Sequence, residues 1–350
     1  MEVFTGIDLH KDFMVVSSVD ADGKLLRQKR VRNAHEDVAR YFQSFDGTHH
    51  AVVESCLGWY WLRDLLVGLD VKLVMAHALL VKAIAYAKVK TDKIDSLTLA
   101  NLLRTGMIPQ SHMISAERRA LRDLTRRRQR LVAELTRMSN AARGVLTAVN
   151  LRSADELELV DRASYDAAAT MATALKEQIG SIESLVASEL AGDIDFLLLQ
   201  TIPGIGPIHA AEILLESDGA ARFASERKFF SYCRVVPGAS NSGGRLAHKH
   251  GRQGNANLRK ALGDAAVHAI AQHSIVTELF KRWCKRYPEA QARTMIAKEL
   301  ARGAYHVMRN REAYRGLKGR ALEKRKAAEP RILRAVDAIT ARETKQPGMI

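Results

Sequence analysis

The hydrophobic pattern in the first third of the chain changes repeatedly between strand and helix periodicity. From Val3 to Val31 it reads strand, turn, strand, with the β-branched segments VFTGIDL and FMVVSSVD and the hairpin signal ADGK. It continues as a helix from about Ala34 to Phe45, the strand HHAVVES, the helix GWYWLRDLLVGL, the strand VKLVMA and a helical region from Ala78 onward. Strands that alternate with helices after a meander predict an α/β domain with a mixed sheet covered by helices.

Residues 115–149 are arginine-rich, and their apolar side chains recur at alternating steps of three and four. This seam consists of Leu121, Leu124, Leu131, Leu135, Met138, Ala142, Val145 and Val149. Its heptad spacing predicts a coiled-coil helix, in which Arg128 at one seam position would weaken the core or fix the register. A second helix over roughly residues 165–190 is a candidate antiparallel partner in the same chain. We therefore expect a dimerising helical stalk.

A mainly helical domain is predicted from Asp195 to about Arg309. Its segment TIPGIGPIHAAEIL contains a Pro-Gly-Ile-Gly turn, in which Gly204 and Gly206 would let backbone amides approach a phosphate, as in a helix-hairpin-helix. The alternative is a tight turn whose glycines serve packing only. Residues 311–350 form a tail rich in lysine and arginine, which predicts a solvated helix or a flexible basic arm. The predicted domains are 1–112 (α/β), 113–192 (stalk), 193–310 (helical) and 311–350 (tail).

The charge balance favours a polyanionic partner. Lysine and arginine number 54 against 39 acidic residues, a net charge of +15. Nucleic acid is the leading candidate because each neutralised phosphate releases counterions, and a merely solvated basic surface is the alternative.

Other features of the composition predict a cytoplasmic protein with no membrane partner. The first residues, MEVFTGIDLHKDF, lack a secretory signal. The most apolar stretch is interrupted by Lys72, His77 and Lys82 and is shorter than the roughly 20 residues that span a bilayer. The three cysteines are Cys56, Cys233 and Cys284. They fit neither a disulfide framework nor a zinc site, which indicates a reducing compartment.

Four acidic residues stand where a metal site would need them. Asp8 lies within the first predicted strand, Glu54 ends the strand AVVES, and Asp92 and Asp95 lie three residues apart, on one helix face. Such carboxylates suit two Mg²⁺ ions, which can stabilise the attacking and leaving oxygens of phosphoryl transfer. Taken singly, Asp95 could be a helix cap or a surface acid, and Asp92 could pair with a neighbouring lysine. Asp8 and Glu54 are harder to dismiss because a buried unpaired carboxylate is costly.

A glycine-rich segment in the second half surrounds two serines, Ser240 and Ser242, with cations. The cations are Arg234, Arg245, His248, Lys249, His250, Arg252, Arg259 and Lys260. Cations stabilise charge that develops on an attacked phosphate, whereas a serine hydroxyl needs activation before it attacks. The alternative is a basic loop that contacts backbone phosphates and uses serine only as a turn residue.

Two sets of motifs resemble one family. The first set consists of GIDLHKD, VVES followed by GWYWL, and KTDKIDSLTLA. It resembles the RuvC-type, ribonuclease-H-like domain of DEDD transposases, specifically those of the bridge-RNA-guided insertion-sequence family. That family also resembles the Piv and MooV invertases. The resemblance implies that Asp8, Glu54, Asp92 and Asp95 are the DEDD residues. Ser96 stands where a small alanine is expected.

The same resemblance extends through the second half and covers about residues 3–310. Family members carry a Ser-Gly-Gly loop, a basic stretch, a Gly-Asn and a Leu-Arg helix, so Ser242 before Gly243 and Gly244 matches the nucleophilic serine. Asn241 stands where family members often carry a serine, directly before the nucleophilic serine. HKHGRQGN also differs from the usual lysine-arginine version, which leaves the roles of individual cations open.

The resemblance implies an insertion-sequence transposase in which Mg²⁺ at the DEDD residues helps activate Ser242 to form a covalent phosphoserine. Implied partners are donor and target double-stranded DNA, a noncoding guide RNA, and further subunits in a dimer or tetramer. The resemblance also allows an active site in which one subunit supplies the acids and another supplies the serine. Expected nucleic-acid contacts are Gly204, Gly206, Arg245, His248, Lys249, Arg252, Arg259 and Lys260. The alternatives are a metal-dependent nuclease of the Holliday-junction-resolving type and a non-catalytic nucleic-acid-binding protein.

Overall fold

The computed structural model forms two compact units, residues 1–113 and 114–350. It describes residues 1–56, 58–85, 91–242, 245–249, 253–316 and 328–345. None of the helices in these ranges is both long and apolar enough to cross a lipid bilayer.

The first unit is built on a six-stranded mixed sheet. Its strands are β1 (Glu2–Leu9), β2 (Phe13–Val19), β3 (Leu25–Arg32), β4 (Thr48–Glu54), β5 (Lys72–Ala76) and β6 (Gln110–Ser111). Their order in the sheet is β3-β2-β1-β4-β5-β6. The β1–β4 and β4–β5 pairs are parallel and the other pairs are antiparallel. The predicted mixed sheet is therefore confirmed.

Helices cover both faces of this sheet. They are α1 (His35–Gln43), α2 (Trp59–Gly68), α3 (Ala78–Ile84) and α4 (Asp92–Arg104). Side chains alternate across a strand, so Ile7 and Val53 point to the core that includes α1 and α2 residues. Val52 and Ala76 point to the opposite core, where they pack with Leu99 of α4. The even-numbered residues of β1 and β4 therefore face α4.

A glycine allows α4 to lie directly on β1. A Cβ atom on Gly6 would lie 2.0 Å from the Ser96 carbonyl oxygen and 2.5 Å from the Ala100 nitrogen, so no other residue fits without displacing the helix. Next to this contact the buried hydroxyls of Ser17 and Ser96 lie 2.8 Å apart, within hydrogen-bond distance. Serine in place of the expected alanine is accommodated because Ser17 satisfies its hydroxyl.

The second unit is mainly helical. Its helices are α5 (Ala116–Ala148), α6 (Leu159–Glu189), α7 (Ile194–Leu199), α8 (Pro207–Ser217), α9 (Glu226–Tyr232), α10 (Ala256–Gln272), α11 (Ser274–Cys284), α12 (Glu289–Asn310) and α13 (Ala328–Lys345). A short hairpin of β7 (Gly238–Ser242) and β8 (Arg245–Lys249) lies between α9 and α10. The prediction of a mainly helical second half is confirmed.

The two longest helices, α5 and α6, pack against each other as an antiparallel pair. Arg128, the charged seam residue, lies 2.6 Å from a carboxylate oxygen of Glu183 on α6. Helix α6 begins at Leu159, before the predicted start near residue 165. Leu159 and Val160 are 85% and 80% exposed, so this first turn has no buried stripe that sequence periodicity would reveal.

The tail contains a helix that joins the core of the second unit. Val336 and Ile339 of α13 pack against its buried residues. Upstream, the Tyr314 backbone nitrogen donates a hydrogen bond of 2.9 Å to the Thr201 hydroxyl. The tail is thus more than a solvated helix or flexible arm over these residues, because a few apolar side chains attach it to the core.

Candidate metal centre and serine hairpin

Two of the predicted acids lie at the carboxyl ends of adjacent parallel strands. Ile7 of β1 is in register with Val53 of β4, so Asp8 and Glu54 follow as neighbours on the face covered by α4. The Cys56 thiol lies close to both. Burial raises the pKa of this thiol, and the charges of Asp8 and Glu54 raise it further.

The other two acids lie in the first turn of α4, above this sheet edge. The Thr91 hydroxyl caps the helix by accepting a hydrogen bond of 3.3 Å from the Ile94 nitrogen. The Gln28 amide of β3 donates to the Lys93 carbonyl at 3.0 Å and ties this turn to the sheet. The helix dipole stabilises Asp92 and Asp95 here, and that alone would explain either acid.

A histidine that the sequence analysis did not assign lies between the acids. His10 belongs to the turn between β1 and β2, and its Nε2 atom lies 3.3 Å from Asp8 Oδ2 and 3.2 Å from Asp92 Oδ2. Its ring contacts the Phe13 ring in a tilted arrangement with centroids 4.7 Å apart, and the Arg30 guanidinium carbon lies 3.6 Å from the Phe13 ring centroid. The available signal was its position two residues after Asp8 in GIDLHKD.

The donor atoms fit a divalent cation. One ligand atom each from Asp8, His10 and Asp92 lies within 4.8 Å of the others. Ligands at Mg²⁺ bond lengths of about 2.1 Å are separated by at most about 4 Å, so small side-chain rotations would bring these three atoms within reach of one ion. Burial raises the pKa of Asp8 above its ordinary value; His10 opposes this, while the charges of Asp92 and Asp95 raise it further. A cation would relieve the repulsion among these carboxylates.

The candidate nucleophile lies at the end of a β-hairpin, where the sequence suggested only a glycine-rich loop. Ser242 is in register with Arg245, and Ser240 with Ala247. His248 and Lys249 belong to β8. His250, Arg252 and the Gly243-Gly244 pair lie outside the described residues.

The remaining predicted nucleic-acid contacts differ in exposure. Arg259 and Lys260 are exposed on α10. Gly204 has a φ of +75°, and a Cβ atom there would lie 2.3 Å from the Ala265 carbonyl oxygen, so this glycine permits a close helix contact. Gly206 is exposed at the N-terminus of α8, with open space where a Cβ atom would be. Of the two glycines, Gly206 is exposed and Gly204 is packed against α10.

Comparison with known proteins assigns both halves of the chain to one family. Residues 5–151 match the DEDD transposase model of the IS110 family, and residues 197–282 match the transposase model of the IS116/IS110/IS902 family. The chain is an IS110-family insertion-sequence transposase. The first match contains the four acids and His10 of this transposase, and the second contains Ser242 and its neighbouring cations.

Relatives of this transposase align over most of both chains. A "probable family 20 transposase" of Pseudomonas aeruginosa is 24% identical over 322 residues, which cover 85% of this chain and 92% of that protein. The transposase for insertion sequence element IS1111A of Coxiella burnetii is 24% identical over 336 residues, covering 89% and 90% of the two chains. The similarity therefore extends through both units.

Asp8, His10 and Asp92 together form what we call the Asp8 cluster. If this cluster binds a divalent cation, Mg²⁺ or Mn²⁺ should stabilise the transposase. A ligand at about 100 times its dissociation constant contributes about 2.7 kcal/mol to folding, which calorimetry detects as a rise in Tm. We expect Asp8→Asn to abolish this rise. His10→Ala should weaken the response to Mn²⁺ more than the response to Mg²⁺, because imidazole is a poorer ligand for Mg²⁺.

Asp22→Asn is the matched control, because Asp22 is an exposed acid of the same unit in the β2–β3 turn. This variant should respond to both ions as the wild type does. An equal rise in Tm in the Asp8→Asn protein would contradict a metal site at this position.

Proposed function

We propose that this transposase cleaves and rejoins DNA with Ser242 as its nucleophile, assisted by Mg²⁺ that Asp8, Glu54, Asp92 and Asp95 hold. The observation that carries the proposal is the convergence of Asp8, His10 and Asp92 where α4 meets the end of β1. Bound Mg²⁺ would neutralise negative charge on the phosphate and its attacking and leaving oxygens. His10 would add a nitrogen ligand or hold Asp8 and Asp92 in place.

The reaction of Ser242 is a phosphoryl transfer. Its Oγ atom attacks the phosphorus of a DNA phosphodiester and loses its proton to a base, while the bond from phosphorus to a deoxyribose oxygen breaks. The resulting phosphoserine keeps the energy of the broken bond, so the reverse attack by a deoxyribose hydroxyl can rejoin a different strand. Support comes from the position of Ser242 beside Arg245 in a cation-rich hairpin, within the second family match.

The basic residues of the second unit would hold the DNA backbone. Arg259 and Lys260 are exposed on α10, and Gly206 offers the start of α8 to a phosphate. Arg245, His248, Lys249 and Arg252 are the further cations that we propose as contacts of the DNA backbone. Gly204 would act indirectly, by shaping the turn.

Trapping the cleaved strand on the protein tests the nucleophile. With donor DNA and Mg²⁺, the wild type should retain covalent DNA after denaturation. Ser242→Ala should lower this adduct by about a thousandfold or more, because no other group replaces the attacking oxygen. Ser240→Ala, two residues away on the same strand, is the control and should still form the adduct.

Two results would contradict the proposed serine mechanism and support another function. Cleavage that survives Ser242→Ala and disappears with Asp8→Asn would indicate a metal-dependent nuclease that uses water. Tight, salt-sensitive DNA binding without cleavage, indifferent to Asp8→Asn and Mg²⁺, would indicate a binding protein.

We also propose that the transposase acts as a dimer or tetramer with a noncoding guide RNA that pairs with donor and target DNA. The net charge of +15 suits an RNA partner. On α6, Met171 and Leu185 are 55% and 49% exposed, which suits burial against another subunit.

Purification from its native cell should yield an oligomer with one abundant element-encoded RNA. Light scattering would give the mass, and sequencing would identify the nucleic acid. A monomer at all concentrations would contradict the stalk as a dimerising element, and the absence of such an RNA would favour direct recognition of DNA by the protein.

A further inference from the structure

A buried carboxylate in the second unit receives an unusual number of hydrogen bonds. The Glu216 side chain on α8 is 1% exposed. Arg126 of α5 donates to it from Nε at 2.5 Å and from Nη2 at 2.8 Å, and the side-chain amides of Asn255 and Asn257 donate at 2.6 and 3.2 Å. A buried charge is tolerated only when it is paired in this way, so these groups are held together.

Asn255 joins the two ends of the segment that contains the serine hairpin. Its backbone nitrogen donates to the carbonyl of Tyr232, the last residue of α9, at 2.7 Å. Its side-chain oxygen accepts from the Leu258 nitrogen at 3.0 Å and thereby caps α10. The Tyr232 hydroxyl donates to the Glu216 backbone carbonyl at 3.2 Å. The chain entering the hairpin and the chain leaving it therefore meet at Glu216.

The glycine before Asn255 is required by the same junction. Gly254 has a φ of +105°, and a Cβ atom there would lie 2.6 Å from the Tyr232 carbonyl oxygen. This gives a physical reason for the Gly-Asn pair, which the proposed chemistry of Ser242 leaves unexplained. The pair closes the base of the hairpin.

We propose that Arg126, Glu216 and Asn255 form a hairpin clasp that positions Ser242 and links its position to helix α5. The clasp residues are positioning residues, because they hold the base of the hairpin and would act on Ser242 through the backbone. A displacement of α5, for example on subunit contact along the stalk, would be transmitted to the hairpin through Arg126. This inference rests on the proposed role of Ser242.

A second charged contact between the same helices provides a matched control. Arg128, also on α5, binds Glu183 of α6 at 2.6 Å and Glu212 of α8 at 3.4 Å. The Glu212 side chain is 2% exposed, so this contact is as deeply buried as that of Glu216. It does not involve the residues at the base of the hairpin. Arg126→Gln and Arg128→Gln should therefore destabilise the fold similarly but differ at the hairpin.

Hydrogen exchange of the full-length protein tests the clasp directly. We expect amides of residues 238–249 to exchange about tenfold faster in Arg126→Gln than in the wild type, and within about twofold of the wild type in Arg128→Gln. Asn255→Ser, which keeps a capping oxygen but loses the amide donor, should resemble Arg126→Gln. Equal exchange in the two arginine variants, or no change in Arg126→Gln, would overturn the proposal.

Adduct formation then separates this inference from the proposed function. Arg126→Gln should form covalent DNA adduct about tenfold more slowly than Arg128→Gln. Altered exchange with an unchanged adduct rate would overturn the positioning role. If Ser242→Ala still forms the adduct, the proposed nucleophile is wrong, and hydrogen exchange alone decides whether the clasp holds the hairpin.

Discussion

The close contact between Gly6 and helix α4 is the constraint on which the proposed metal site of the first unit depends. With no side chain at residue 6, the backbone of α4 lies against β1, and the position of the helix is fixed by atoms that cannot rotate away. Asp92 precedes Ser96 by one helical turn, so it lies on the same face, above the end of β1. Asp8 and Asp92 lie close together because a strand and a helix touch, and the contact leaves room for no larger residue at position 6. Glu54 and Asp95 are neighbours of this pair along β4 and α4 but do not belong to the same cluster of ligand atoms.

The pKa shifts of one carboxylate in each unit have opposite directions: Glu216 is fully buried and Asp8 is partly buried. In the second unit, burial alone would raise the pKa of Glu216, but the hydrogen bonds and charge of Arg126, with Asn255, hold it below its ordinary value. In the first unit the pKa of Asp8 is raised, because burial and the neighbouring Asp92 and Asp95 outweigh His10. Glu216 is neutralised by the protein itself, as a structural charge should be. At Asp8 the neighbouring acids and burial act in the same direction, and His10 opposes them only in part.

Much of the first unit could be predicted from the sequence because strand and helix periodicities are local. The sequence also marks Asp8 and Glu54 as candidate acids, since Asp8 lies within an apolar strand and Glu54 ends another. His10 was not assigned, because its approach to Asp92 depends on a turn and on a helix more than 80 residues later. Periodicity cannot report such tertiary contacts.

The second unit is harder to predict from the sequence, because its main features also depend on tertiary contacts. The packing of Gly204 depends on α10, and the first turn of α6 carries no buried stripe. The hairpin that contains Ser242 is too short and too rich in small residues for alternation to reveal it. The attachment of α13 rests on a few apolar residues within a basic tail.

The contact of Gly6 with α4 should therefore be essential for cation binding at the proposed metal site. Titration with Mn²⁺ followed by electron paramagnetic resonance tests it by comparing Gly6→Ala with Gly68→Ala, since a Cβ atom at Gly68 meets nothing within 4 Å. Circular dichroism would verify that both variants remain folded. Gly6→Ala should bind Mn²⁺ at least about tenfold more weakly than the wild type, and Gly68→Ala should bind it normally. Wild-type affinity in a folded Gly6→Ala protein would contradict the claim.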